Sequence, residues 1–493
     1  MSMWKPNKAG IRFAAALLPL CLWGCAVGPN FVRPKPPAVT QYTQGREPSA
    51  TVAADGQTQY FQHGAKIAAD WYRLFRSPKL DLMIKEAVAQ NPSLQAAQAR
   101  LRQSQENLRA GYGVFFPQIG GSFEAMRERF TSAQFGVGQA PGNTFNLFTT
   151  QVTVSYLVDL FGGQRRHVEG LAAQVDYQNY TAMATYLTLL GNVVNAAIAQ
   201  AAYRAQIDAT ERILAMQKEQ VSLTEAQYQA GTVPYAAVVS LQTQLAATEA
   251  TLGPLKQNLD KTQHLLSALV GRPPAEWAAP RLDLADFTLP KELPVTLPSA
   301  LVRQRPDILA AEAQLHTASA NIGVATAALF PSLTLSAAYG FTSTDITRLF
   351  DPRAKVWNIA GGLTQPIFRG GTLWFQRKAA VEAYEASLAD YRQVVVTAFQ
   401  QVADTLRAVE HDAETLKAQA DALAAAEEAL KLLTANYKAG LVNYLQILTA
   451  NNQYQQARLG YIQAQALRLQ DTAALFVALG GGWWNPQTKM AEK

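Results

Sequence analysis

Residues 164–230 and 372–439 contain no proline, and the second run contains no glycine either. A helix through each would be roughly 100 Å long at 1.5 Å per residue. That is far beyond the ~8–20 residues of an ordinary globular helix and implies a coiled coil or a helical repeat. Both runs are rich in Ala and Gln, with only scattered large apolar residues. A two-stranded coiled coil needs regular Leu and Ile at its core positions. Small residues on two sides suit instead a helix packed between two neighbours in a curved wall, so the runs read as staves of a hollow cylinder.

The two runs belong to a tandem duplication. Asn91-Pro92-Ser93-Leu94-Gln95-Ala96-Ala97 aligns with Arg305-Pro306-Asp307-Ile308-Leu309-Ala310-Ala311, and Phe115-Phe116-Pro117 with Leu329-Phe330-Pro331, both 214 residues apart. Leu160-Phe161-Gly162-Gly163 aligns with Ile367-Phe368-Arg369-Gly370-Gly371. Tyr228-Gln229-Ala230-Gly231-Thr232-Val233-Pro234-Tyr235 aligns with Tyr437-Lys438-Ala439-Gly440-Leu441-Val442-Asn443-Tyr444, now 209 apart. Each copy has a lead helix (93–113 and 307–328) ended by Phe-Pro, two strand-like segments, Gly-Gly, the long helix, a turn, and a return helix (236–270 and 445–479). Return plus lead helix nearly equals one long helix, so the two are expected to stack end to end as a second stave.

The strand-like segments alternate in polarity. In 331–341, Leu333, Leu335, Ala337, Tyr339 and Phe341 are interleaved with Ser332, Thr334, Ser336, Ala338 and Gly340, and 151–159 alternates in the same way. Segments 118–128 and 355–368 are their weaker partners. Period-two polarity over about ten residues is the mark of a membrane-barrel strand. Four such strands are too few to bury a soluble core beside so much helix.

Composition supports this division. Charged residues are 16% of the chain, against about 25% in an average soluble domain, and hydrophobic residues are 49%. The one apolar run of note, Ile11–Trp23, falls short of the ~20 residues of a spanning helix, so no internal transmembrane helix is expected. Lys5, Lys8 and Arg12 precede that run as in a secretory leader, which ends at Leu22-Trp23-Gly24-Cys25, similar to a lipobox. The two cysteines, Cys21 and Cys25, both lie here. Cleavage before Cys25 leaves one thiol without a disulfide partner, which acylation explains as a membrane anchor. Loss of Lys5, Lys8 and Arg12 lowers the formal charge from +6 to +3, too little to argue for nucleic acid. The chain thus divides into leader 1–24, an anchored extended segment 25–75, repeat 1 at 76–270, a Pro-rich linker 271–298, repeat 2 at 299–479 and a tail 480–493. The Pro-rich stretches read as extended linkers wrapped on the outside.

Several stretches then carry a resemblance: Cys25-Ala26-Val27-Gly28-Pro29-Asn30 with Arg33-Pro34, Asp70-Trp71-Tyr72-Arg73-Leu74-Phe75, Leu297-Pro298-Ser299-Ala300-Leu301, and Ala320-Asn321-Ile322-Gly323-Val324-Ala325 ending in Phe330-Pro331. Together they resemble the outer-membrane factor family, the TolC/NodT-type efflux ducts of Gram-negative bacteria, over nearly the whole mature chain. The resemblance implies a mainly α fold with β: long helical hairpins forming a periplasmic α-barrel, and four strands per chain in a 12-stranded outer-membrane β-barrel closed by a homotrimer. It implies passive export of drugs, toxic compounds or metals from a periplasmic adaptor (membrane fusion protein) and an inner-membrane pump of the resistance-nodulation-division class. The alternatives are an outer-membrane component of type I secretion and a lipid-anchored periplasmic coiled-coil scaffold, which would lack the duplicated strand pairs.

By that resemblance the hairpin tips meet the adaptor and close the entrance, which points to Gly231, Val233, Tyr235, Gly440, Val442 and Tyr444; the same residues also suit turn formation alone. Gln446 and Thr449 stand where relatives carry aspartates beyond the second tip, and with Asn443 and Asn452 they form a candidate neutral constriction; solvated polar residues of a tunnel wall are the alternative reading. Asp404 and Asn195 occupy matching repeat positions and read as interhelix polar contacts. Loops 129–149 and 342–355, with the Gly136–Gly142 turn cluster in the first, read as extracellular connections. No enzyme is expected: His63, His167, His264, His316 and His411 are scattered as surface residues without metal-ligand spacing, no nucleophile-elbow or Walker sequence is present, and no cofactor is implied.

Overall fold

The computed structural model describes residues 26–45, 47–130 and 143–484. The leader, Cys25 and the Gly136–Gly142 cluster lie outside the described residues. In chain order the elements are β1 (Tyr60–His63), α1 (Pro78–Gln90), α2 (Pro92–Gly111), β2 (Gln118–Phe130), β3 (Asn143–Val158), α3 (Gly163–Gln229), α4 (Tyr235–Val270), β4 (Glu292–Val295), α5 (Pro298–Leu301), α6 (Pro306–Ala327), β5 (Ser332–Ser343), β6 (Lys355–Thr364), α7 (Thr372–Lys438) and α8 (Tyr444–Ala478). The long proline-free runs are single helices, α3 and α7.

Glycine ends all four helices of the two hairpins in the same way. Gly231, Gly271, Gly440 and Gly480 have φ of 73°, 83°, 74° and 91°. At the first, the Gly231 N–H donates to the Tyr228 carbonyl and the Thr232 N–H to the Gln227 carbonyl; the other three repeat this pattern. A left-handed residue with these two bonds is the Schellman motif, which satisfies the last helical carbonyls. The return helices then abut the lead helices. The Asn91 amide donates to the Leu269 carbonyl at 2.8 Å, and in the second copy Arg305 donates to the Ala478 carbonyl at 2.7 Å.

Packing divides the chain into two compact units. One comprises the residues up to Arg33, Arg102–Tyr177 and Glu312–Asp390; the other comprises Pro34–Leu101, Gln178–Ala311 and the chain from Tyr391 onward. The second has a conventional core. Trp71 is fully buried, stacked on Phe476 at 5.4 Å and edge-on to Phe75 at 6.4 Å. β1 pairs in parallel with β4, and Leu282, Leu293 and Val295 are buried beside Leu190, Val193 and Ile198 of α3. The Pro-rich segment 271–298 therefore contributes to the core as well as connecting the copies. α3 also corrects the expectation about apolar runs: one 18-residue window in it has a mean hydropathy of 1.4. That window is 56% buried, consistent with a helix whose apolar residues serve an interior.

The first unit contains the antiparallel sheet β2-β3-β5-β6. The segment after Cys25 is clasped onto this unit. Arg166, 5% exposed, donates to the Val27 carbonyl and to Asn30 Oδ1, and the Val27 N–H donates to the Phe161 carbonyl. Arg33 meets the Glu312 carboxylate at 2.7 Å.

Candidate functional site

Each strand of the sheet has two chemically different faces, and the register keeps them aligned. Val154 pairs with Ile119 and Ala337, Val152 with Gly121 and Tyr339, Tyr156 with Leu335, and Tyr339 with Trp357. Residues directly opposite across strands share a face. Ile119, Phe123, Val152, Leu335, Tyr339, Trp357, Ile359 and Leu363 thus form one apolar surface, and their exposures run from 46% at Leu335 to 79% at Ile359. Ser122, Glu124, Gln151, Thr153, Ser155, Thr334 and Ser336 occupy the other face. A continuous apolar surface of this extent marks a membrane or a partner. The outer edges, β2 and β6, pair with no further strand among the described residues. Strand lengths of 10 to 16 residues meet the ~9–11 that a tilted membrane strand requires.

The hairpin tips lie at the other ends of the long helices. Gly231 and Gly440 are the C-terminal glycines described above. Val233 and Val442 are half-buried, and Tyr235 is 58% exposed with its ring 5.3 Å from Tyr228. Tyr444 begins α8, and its side chain lies outside the described residues. Asn443 is the N-cap of α8: its Oδ1 accepts the Gln446 N–H at 3.3 Å. Gln446 and Thr449 are exposed, and the Thr449 hydroxyl donates to the Leu445 carbonyl one turn back. Asn443, Gln446 and Thr449 are exposed, and Asn452, one turn beyond Thr449, is half-buried.

Two features at the tips escape sequence reasoning. The Tyr437 hydroxyl donates to Gln227 Oε1 at 2.9 Å, joining the second hairpin to the first. Leu441 and Leu445 are 75% and 65% exposed. Tyr437 and Leu441 stand inside the aligned tip motif, but the alignment does not show what they meet. Apolar residues in a solvent-facing turn suggest a partner. The side chains of Asn195 and Asp404, expected at matching repeat positions as interhelix polar contacts, do not bridge helices. Asp404 is exposed and accepts from Gln400 of its own helix, whereas Asn195 Oδ1 is buried without a partner.

The histidines likewise depart in one case from expectation. His316 is not a free surface residue: its Nε2 lies 2.9 Å from Glu169 Oε1, and its ring stacks on Phe31 at 4.3 Å. Glu169 also binds Arg166 at 2.7 Å. Although partial burial opposes its charge, hydrogen bonds from Arg166 and His316 hold its carboxyl below the usual range. His63 and His411 sit beside Glu47 and Glu414. Among the described residues no group of three or more His, Cys, Asp and Glu is placed to hold a metal. A buried charged cluster does exist between α7 and α8. Asp412, 8% exposed, is raised to about 8 by burial, by its hydrogen bond with Asp471 and by that neighbour's charge, with Arg468 opposing. Arg468 in turn donates to Gln59 Oε1, Thr51 Oγ1 and the Gln57 carbonyl.

Comparison with known proteins adds to this geometry. A sequence model of the family described as "Outer membrane efflux protein" matches residues 83–272 and 297–481. The chain is 30% identical over 417 residues to the pyoverdine export outer membrane protein OpmQ of Pseudomonas putida, covering 84% of this chain and 88% of that protein. It is 29% identical over 479 residues to the toluene efflux pump outer membrane protein TtgC of Pseudomonas putida, covering 97% and 96%. The CmeC outer membrane channel of Campylobacter jejuni shares the fold, with a TM-score of 0.85 and 20% identity over 93% of this chain and 95% of that one.

Proposed function

The chain belongs to the outer membrane efflux protein family, and from that membership we propose how it works as the outer-membrane exit channel of a tripartite efflux system. Three copies close their four-stranded sheets edge to edge into a 12-stranded barrel, apolar faces to lipid and polar faces to the lumen. The helical hairpins of the three chains continue the barrel as a periplasmic tunnel. Substrate passes through by diffusion, and no residue of the chain performs chemistry.

The observation that carries this reading is the two-faced sheet with an edge strand on each side. Each backbone group left unsatisfied in hydrocarbon costs several kcal/mol, so only a closed barrel can sit there. The exposed apolar face requires a nonaqueous surrounding, and the edges require each other. A coiled-coil scaffold has no use for either feature.

Acylation at Cys25 anchors the N-terminus in the outer membrane. Gly231, Val233, Tyr235, Gly440, Val442 and Tyr444 form tips that meet a periplasmic adaptor, behind which stands a proton-driven pump of the resistance-nodulation-division class. The polar strip Asn443, Gln446 and Thr449, followed by Asn452, lines the entrance. OpmQ and TtgC are named for pyoverdine and toluene, chemically unlike cargoes, which supports a duct whose selectivity is set by its pump.

The test is to purify the full-length protein from outer membranes, determine its native mass and measure current across planar bilayers. The expected result is three chains per particle, ohmic channels, and a mature chain heavier by its acyl groups at Cys25. A monomer without conductance would falsify the reading. Deleting the gene and scoring tolerance to antibiotics, dyes and metal salts then identifies the cargo.

A further inference from the structure

The middle of the sheet shows how its outer edges are built to meet. β3 and β5 lie side by side there, and just beyond their ends Phe161 stacks on Phe330, with ring centroids 4.7 Å apart and planes 20° from parallel. The duplication aligns Phe161 with Phe368 and Phe330 with Phe116. Those counterparts follow β6 and precede β2, the two outer strands of the sheet. Within one chain they are open: Phe116 is 66% exposed, Phe368 86% and Ile367 95%, whereas Phe161 and Leu160 are half-buried. One repeat junction is thus made inside the chain, and the same junction is left unmade at its two ends.

We propose that Phe368 stacks on Phe116 of the partner subunit, and that β6 pairs antiparallel with the partner's β2 in the register that β3 and β5 hold within the chain. This rests on the trimeric channel proposed above and specifies its interface. Within the chain Tyr156 faces Leu335, and Val154 faces Ala337. Carried across the repeat, these pairs become Leu363 opposite Gly121, and Gly361 opposite Phe123. All four residues belong to the apolar face, so the closed sheet keeps both faces intact; a one-residue slip would invert one strand. Each glycine also meets a large side chain, the cross-strand arrangement in which an apolar or aromatic residue covers the bare backbone. The occupant of the exposed Phe116 and Phe368 surfaces is therefore a second copy of this chain, not lipid.

The interface is tested with Gly121→Cys and Leu363→Cys in the full-length chain, which has no thiol beyond Cys21 and Cys25. β2 and β6 are opposite edges of one sheet, so a disulfide between them joins two chains. Opposed Cα atoms on antiparallel strands are about 4.5–5.5 Å apart, within disulfide reach. Mild oxidation of outer membranes should give covalent dimers and trimers from the double variant and none from either single variant. If that pair does not reach the membrane, Ala125→Cys with Ile359→Cys tests the same register. Phe368→Ala should reduce the SDS-resistant trimer severalfold, and Phe368→Trp should retain it. Cross-linking of Leu363→Cys to Ile119→Cys or Phe123→Cys in preference to Gly121→Cys overturns the register, and an unchanged trimer fraction in Phe368→Ala overturns the stack. Both results leave the channel standing, whereas a monomeric native mass of the unsubstituted protein removes the channel reading itself.

Discussion

Asp412 shows how a single residue couples this molecule to pH. It is buried between α7 and α8, one carboxyl oxygen has no partner, and its hydrogen bond runs to another acid, Asp471. The native state therefore holds a proton that an unfolded aspartate releases near pH 4. A group raised in this way stabilises the fold fully below its unfolded pKa, and that stability is lost as pH rises through the folded value of about 8. Melting temperature should fall between about pH 4 and about pH 8, and Asp412→Asn should flatten the decline and raise the melting temperature at pH 8 by roughly 2–4 °C. An equally steep decline in the variant would remove Asp412 as its source. Asn443 has two separable roles at the same scale. As an N-cap, its replacement by Ala should cost about 1 kcal/mol in the first turn of α8, and Ser should restore most of it; amide exchange at Gln446 reads both. As part of the entrance, Asn443→Ser with Gln446→Ala should raise single-channel conductance while the tip stays folded. Unchanged conductance would sink the gate assignment.

Among the elements, the strands carry the sharpest contrast between neighbouring residues. Val152 and Thr153 are adjacent in β3, yet Val152 faces the apolar side with Tyr339 and Gly121, and Thr153 the polar side. Val152 is 51% exposed, so in water an arginine there would be almost harmless. In a bilayer, Arg on the lipid face costs about 2–4 kcal/mol near the midplane. Val152→Arg should sharply lower the amount of heat-resistant trimer in the outer membrane, and Thr153→Arg should leave it near the unsubstituted level; equal effects would mean that the face does not meet lipid. These strands are legible in sequence because alternation is a local property: 331–341 and 151–159 emerge directly from it, and the Gly120-Gly121 and Gly361-Gly362 pairs blur their partners. The long helices are legible for the same local reason, the absence of proline. α1 is not recovered, although Ser77 before Pro78 is a cap followed by proline at the first helical position. Its length is modest beside its neighbours. The four-residue strands β1 and β4 leave no periodic signal, since their pairing joins residues more than 200 positions apart.

In the whole molecule, the duplication sets the architecture and the differences between the copies set what each copy does. The two copies end their helices on equivalent glycines and join return to lead helix at equivalent junctions, which a sequence alignment can reveal. What it cannot reveal is chemistry that arises only when distant segments meet, such as the Asp412–Asp471 pair, the Arg166 clasp on Val27 and Asn30, or the Tyr437–Gln227 link between hairpins. The compact units also differ in what holds them. The unit containing Trp71 buries a large aromatic and aliphatic core, whereas the sheet of the other exposes its apolar face until a membrane covers it. Thermal unfolding in detergent should then proceed in two steps, a helical loss followed by the heat-resistant barrel, and a single unfolding free energy would not describe it. Trp71→Ala removes a fully buried ring stacked on Phe476, a change that typically costs ~3–5 kcal/mol. It should move the helical transition, followed by circular dichroism at 222 nm, down by several degrees while the barrel transition, followed by gel mobility, stays in place. Movement of both transitions together would show that the barrel draws its stability from this core and not from the closure of its own strands.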